Sequence, residues 1–120
     1  LVVYGAIPMM VSANCLRKTT IGCNKKNESL TLTDRKGISF PVCLNCKYCY
    51  NVIYNSVPTY LLDRTDIVNK LKPDAVRVCF TRESKKEREV ILDALAAFTK
   101  GKIKQAPEKI TRGHFKKGVI

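Results

Sequence analysis

Apolar and polar positions change period along the chain, and each change marks an element. Residues 1–4 (LVVY) are apolar on both sides of a β-pleat and include two β-branched valines, as in a strand buried on both faces. Gly5 and Pro8 bend the chain, and residues 9–13 form a second short apolar run. Residues 14–29 are polar and basic and read as a loop that holds two cysteines. Residues 30–33 and 38–42 are β-rich and flank Asp34-Arg35-Lys36-Gly37. A short turn ending in glycine between two such runs predicts a hairpin.

Residues 48–60 hold four of the five tyrosines. Beside a basic cysteine loop these rings either stack on nucleic-acid bases or pack around the loop. Asp63-Arg64-Thr65-Asp66 predicts a helix start with a capping carboxylate. Ile67, Val68 and Leu71 form its apolar stripe, and Pro73 ends it. Residues 75–80 (AVRVCF) predict a strand, with Cys79 as a buried, inert thiol. Ser84 and Glu87 match a capping box. Val90, Ile91, Ala94, Leu95 and Phe98 follow at helical spacing, with Gly101 beyond them, which predicts a helix over 85–100. Helix, strand and helix over 64–100 give an α/β (or α+β) expectation.

Charge adds a partner to this picture. The 120 residues carry a net +12, and hydrophobic residues make up 45%, so the chain reads as globular. Residues 1–49 have seven basic and two acidic residues, 50–99 have eight and seven, and 100–120 have seven and one. Two basic ends around a near-neutral middle point to an anionic partner, most often nucleic acid; the plainer reading is a solvated basic tail. No apolar run approaches the ~18–20 residues of a membrane helix. Residues 1–13 lack a basic flank and are broken by Gly5 and Pro8, unlike a signal peptide. The chain opens in a β-like run without Met, and we expect a piece of a longer, cytoplasmic protein.

The six cysteines are unevenly spaced: Cys15 and Cys23, then Cys43, Cys46 and Cys49 as C-x2-C-x2-C, then Cys79. Cysteines three apart in a loop can aim their sulfurs at one soft metal or cluster; disulfides and free thiols are the alternatives. A bacterial ferredoxin run would continue with cysteine at position 53, which is Ile53, so Cys43–Cys49 must recruit from Cys15 and Cys23 or lose a member. Catalytic sets are sparse. There is one histidine, His114, no G-x-S-x-G elbow, no H-E-x-x-H, no Walker sequence and no radical-SAM C-x3-C-x2-C.

Five segments together resemble the collagenase-like peptidase family (family U-thirty-two). They are Val11-Ser12-Ala13-Asn14-Cys15; Lys18-Thr19-Thr20 with Cys23; Asp34-Arg35-Lys36-Gly37; Cys46-x2-Cys49-Tyr50-Asn51; and Thr111-Arg112-Gly113-His114-Phe115-Lys116-Lys117-Gly118. Residues 75–81 with Glu83 look like the segment before that tail. The resemblance implies the C-terminal part of a longer, barrel-like catalytic module. It implies either peptidase activity on a peptide substrate or, as in similar family members, hydroxylation of a base in transfer or ribosomal RNA. It also implies an iron–sulfur cluster, 4Fe–4S in type, held by Cys15, Cys23, Cys46 and Cys49, with Cys43 as an extra thiol that could serve as a ligand. Zinc on the same thiolates, in a purely structural module, is the alternative.

The expected architecture is therefore a partial β/α-barrel-like fragment with a cysteine-bearing hairpin insertion. Its segments are a strand region at 1–13, the cysteine loop and hairpin at 14–56, a strand-helix-strand-helix unit at 57–101 and a basic tail at 102–120. Arg17, Lys18, Lys25, Lys26, Arg112, Lys116 and Lys117 are the candidate phosphate contacts, with His114 as a further anion-binding or structural group. Two or three strands cannot close a barrel, so exposed strand edges lead us to expect self-association.

Overall fold

The computed structural model describes residues 1–113, in which seven strands form two sheets beside three helices: a mixed α/β protein. None of the described helices is long and apolar enough to cross a membrane. The chain divides into two compact units, Ile7–Ser56 and the combination of Leu1–Ala6 with Val57–Ile120. The second apolar run falls in the unit Ile7–Ser56 because it pairs with β5 (Tyr50–Tyr54) and not with the first strand.

In the unit Leu1–Ala6 with Val57–Ile120, the strands are β1 (Val2–Gly5), β6 (Thr59–Tyr60) and β7 (Arg77–Cys79), and the helices are α2 (Thr65–Leu71) and α3 (Lys85–Thr99). The strand order is β6-β1-β7, with β1 antiparallel to β6 and parallel to β7. The apolar run at the start of the chain thus becomes the central strand, which explains why Val3 and Tyr4 are both buried. They join Tyr60, Leu61, Leu62, Val68, Ile91 and Ala94 in one core. Thr111 bridges Thr59 in parallel, so the end of the described chain adds to the free edge of β6.

Local signals account for the helices unevenly. Ser84 and Glu87 form the expected capping box on α3: the Glu87 amide donates to Ser84 Oγ, and the Ser84 amide donates to Glu87 Oε2. Asp63 does not cap α2. Arg64 occupies the N-cap with no side-chain cap bond, because the Asp63 carboxylate is taken by Arg112. Lys72 ends α2 in the left-handed conformation just before Pro73. The strand expected over 75–80 contracts to the three residues of β7.

The unit Ile7–Ser56 holds β2 (Pro8–Ser12), the short helix α1 (Leu16–Thr20), β3 (Ser29–Thr33), β4 (Ser39–Asn45) and β5 (Tyr50–Tyr54). The sheet is antiparallel throughout, in the order β2-β5-β4-β3. The predicted β3–β4 hairpin is present. Asp34 Oδ1 accepts from the amides of Lys36 (2.8 Å) and Ile38 (2.9 Å), so the aspartate side chain builds the turn. Pleating sorts the sheet into two faces. Val42, Leu44 and Asn51 share the buried one, each 5% exposed or less.

Candidate metal centre

The turn of the β4–β5 hairpin is Cys46-Lys47-Tyr48-Cys49, so the C-x2-C pair occupies a tight loop joining two paired strands. Cys49 has φ 51°, a left-handed backbone that lets the loop close without glycine. The loop of residues 23–28 lies against this turn. The Cys46 amide donates to Asn27 Oδ1 (2.8 Å), and the Leu44 amide donates to the Glu28 carbonyl (2.9 Å). Lys25, at φ 58°, turns that loop.

Cys15 arrives by a different route. It precedes α1, and its segment is held by Asn51, which is fully buried. Asn51 Nδ2 donates to the carbonyls of Ser12 (3.3 Å) and Asn14. Arg17 then pairs with Glu28 at 3.0 Å, tying α1 to the loop beyond Cys23.

These ties bring Cys15, Cys23, Cys46 and Cys49 to the wall of one cavity of about 590 Å³. Leu44, Asn45, Tyr50, Lys18 and Lys25 share that wall. The Cys46 thiol donates to the Lys26 carbonyl (2.8 Å), and the Cys49 thiol to the Cys46 carbonyl (3.7 Å). Cys46 is held above its ordinary pKa, first by desolvation and then by Cys23, Cys15, Cys49 and Glu28. Among the described residues, no three His, Cys, Asp or Glu side chains are gathered as ligands of a single metal ion. The four sulfurs therefore line a shared space and do not close on one point.

Cys43 stands apart. It sits mid-strand on β4, between the buried Val42 and Leu44, and so points to the opposite face of the sheet. Its sulfur lies 4.0 Å from Ser29 Oγ, and it is not among the residues lining the cavity. Cys79 is half-buried in β7, in the other unit.

The basic residues proposed for phosphate contact divide. Lys18 and Lys25 line the cavity, and Lys26 is exposed beside it. Arg17 is engaged by Glu28, and Arg112 by Asp63 and the Tyr60 carbonyl. His114, Lys116 and Lys117 lie outside the described residues, and with them the pairing of the single histidine with any cysteine. Asn51 stood in one of the segments that carry the resemblance and Arg17 among the phosphate candidates, but their roles in tying down Cys15 and α1 were missed, because each contact joins segments distant in sequence. Comparison of the chain with protein-family models, curated proteins and solved structures finds no match.

Proposed function

We propose that residues 7–56 bind an iron–sulfur cluster and that the chain belongs to a collagenase-like-peptidase-family protein acting in hydroxylation of an RNA base. One observation carries the cluster reading: all four cysteines singled out by that resemblance line the same cavity, while the other two do not. Four soft thiolate donors fit either a cluster or zinc. Zinc would draw four sulfurs to about 2.3 Å from one centre, whereas a cluster spreads its thiolates over several irons, so metal analysis separates the two.

A bound cluster supplies one-electron redox chemistry. The chain's own contribution is to place four thiols on a hairpin turn and two tied loops. Cys46 and Cys49 would give up their bonds to backbone carbonyls on loading, and the positive charge of a bound metal would favour their loss of protons. Lys18 and Lys25 keep positive charge at the same wall, which suits an RNA phosphate. The parallel β1–β7 pair, with α2 between those strands in sequence and α3 after them, suits a piece of a β/α-barrel, whereas the antiparallel β6 departs from the all-parallel barrel pattern.

Anaerobic purification with reconstitution tests the cluster. We expect about four iron atoms per chain and a broad visible absorbance. Zinc bound in place of iron, in a colourless protein, would instead identify a structural zinc module. For the reaction, nucleosides from cells lacking the protein should lose a hydroxylated base. An unchanged nucleoside profile, with gelatin cleavage that survives iron chelation, would move the assignment to a peptidase.

A further inference from the structure

The open face of the sheet in residues 7–56 extends the reading above. Pairing of Val52 with Cys43 on one side and Val11 on the other sets the pleat. Tyr50, Val52 and Tyr54 then share one face of β5, opposite the buried Asn51. On that face Tyr50, Val52, Tyr54 and Cys43 are only half-buried and Val11 is 66% exposed. An apolar and aromatic surface on an inner strand is therefore partly open to water. Tyr50 and Tyr54 are four residues apart, about 13 Å at strand rise. Tyr50 also lines the cysteine cavity, and Asn45 Nδ2 donates to its hydroxyl (3.1 Å). The face thus leads directly to the cavity mouth.

Charge says what such a surface takes. Residues 7–56 contain seven basic side chains and two acidic ones. Both carboxylates are used internally: Glu28 by Arg17 and Asn24, Asp34 by the hairpin turn. None of Lys18, Lys25, Lys26, Arg35, Lys36 or Lys47 forms an ion pair among the described residues. A polyanion with exposed apolar faces matches both features. A duplex hides its base faces, whereas single-stranded RNA presents them for stacking on phenol rings.

We infer that single-stranded RNA lies across Tyr54 and Tyr50, bases on the rings and phosphates toward Lys18 and Lys25 at the cavity wall, so that a target base reaches the cysteine cavity. This rests on the RNA reading of the preceding subsection and adds the surface that carries the strand.

Fluorescence anisotropy of the full chain with a labelled 12-nucleotide single-stranded RNA tests it, with a DNA of the same sequence and an RNA duplex as parallel arms. Single-stranded RNA should bind most tightly. Tyr54→Ala should weaken it about tenfold or more, and Tyr54→Phe, which keeps the ring, by no more than about twofold. Because Tyr54→Ala can unsettle the sheet, a 4-thiouridine RNA is crosslinked to the unaltered protein, where adducts are expected within residues 43–54. RNA binding that is unaffected by Tyr54→Ala, or adducts confined elsewhere, overturns the surface and leaves the RNA reading standing. Tighter binding of the DNA or the duplex also overturns it. No binding of any RNA by cluster-loaded protein overturns both.

Discussion

Gly5 and Cys79 stand so close across the parallel β1–β7 pair that a Cβ on Gly5 would lie 2.9 Å from both the Cβ and the carbonyl oxygen of Cys79. Gly5 also has φ 151°, which side-chain-bearing residues rarely adopt. The glycine that bends the chain after the first strand is thus also what lets the two strands approach.

Replacing that glycine should be costly. Gly5→Ala combines backbone strain with overpacking against Cys79 and is expected to destabilise the chain by about 2–4 kcal/mol. Urea denaturation followed by circular dichroism measures it; a loss below about 0.5 kcal/mol would show that β7 simply moves aside.

The Arg112–Asp63 pair holds the end of the described chain against β6. Arg112 Nη2 donates to Asp63 Oδ2 at 2.7 Å, and Nη1 donates to the Tyr60 carbonyl at 2.6 Å. The side chains are 30% and 15% exposed, so solvent weakens the pair only in part. Asp63→Asn should cost about 1–2 kcal/mol, and Arg112→Lys a similar amount, because an ammonium cannot reproduce the two-pronged contact. Thermal melts of the two variants, and of the double variant to test their coupling, provide the measurement.

The capping box makes α3 sensitive to acid. Its hydrogen bonds with Ser84 hold the Glu87 carboxyl below its ordinary pKa. A depressed carboxylate contributes stability above its unfolded value, about 4.3, and that contribution disappears as pH falls through the folded value. Stability should therefore drop on acidification below about pH 4.3, and Glu87→Gln should flatten that part of the profile. An unchanged acid limb in Glu87→Gln would assign the loss to other carboxylates.

Metal loading should separate the cysteines into two groups. Serine at Cys15, Cys23, Cys46 or Cys49 is expected to lower bound iron per chain severalfold, because each removes one thiol from the cavity wall. Serine at Cys43 or Cys79 should leave iron content near that of the unaltered protein. Iron analysis beside the visible spectrum reads this directly, and a large loss in Cys43→Ser would bring Cys43 into the ligand set.

Asn51 should matter to both folding and loading. It is buried and donates to the carbonyls of Ser12 and Asn14, just before Cys15. Asn51→Ala leaves those carbonyls without their donor and should cost about 1–3 kcal/mol. It should also release the Cys15 segment, so that iron is lost faster to a chelator. Chelation kinetics at constant temperature would show this, and an unaltered rate would confine Asn51 to folding.

Much of the local structure was legible before any contact was known. The capping box at Ser84 and Glu87 and the helical spacing of Val90 to Phe98 act within a few residues, and α3 forms where they place it. Asp34 and Gly37 likewise specify their own turn. The strand β5 lay within the tyrosine-rich segment without being singled out, although Tyr50, Val52 and Tyr54 alternate with Asn51 and Ile53 at the period of a strand. α1 is too short to display a period. The carboxylate of Asp63 sat where a helix cap belongs, but an arginine 49 residues later competes for it and wins with a charged, two-pronged bond.

By itself the sequence determined what depends on near neighbours: the α3 helix, the β3–β4 turn, the surplus of positive charge at both ends and the C-x2-C spacing of Cys46 and Cys49. Tertiary structure decided which of six cysteines share a wall, which face of a strand each ring and thiol occupies, and which basic groups are already paired. Those outcomes depend on strand register and on contacts such as Asn51 with Asn14 or Gly5 with Cys79. A one-residue change in pairing would move a side chain to the other face of the sheet, as the separation of Cys43 from Leu44 illustrates.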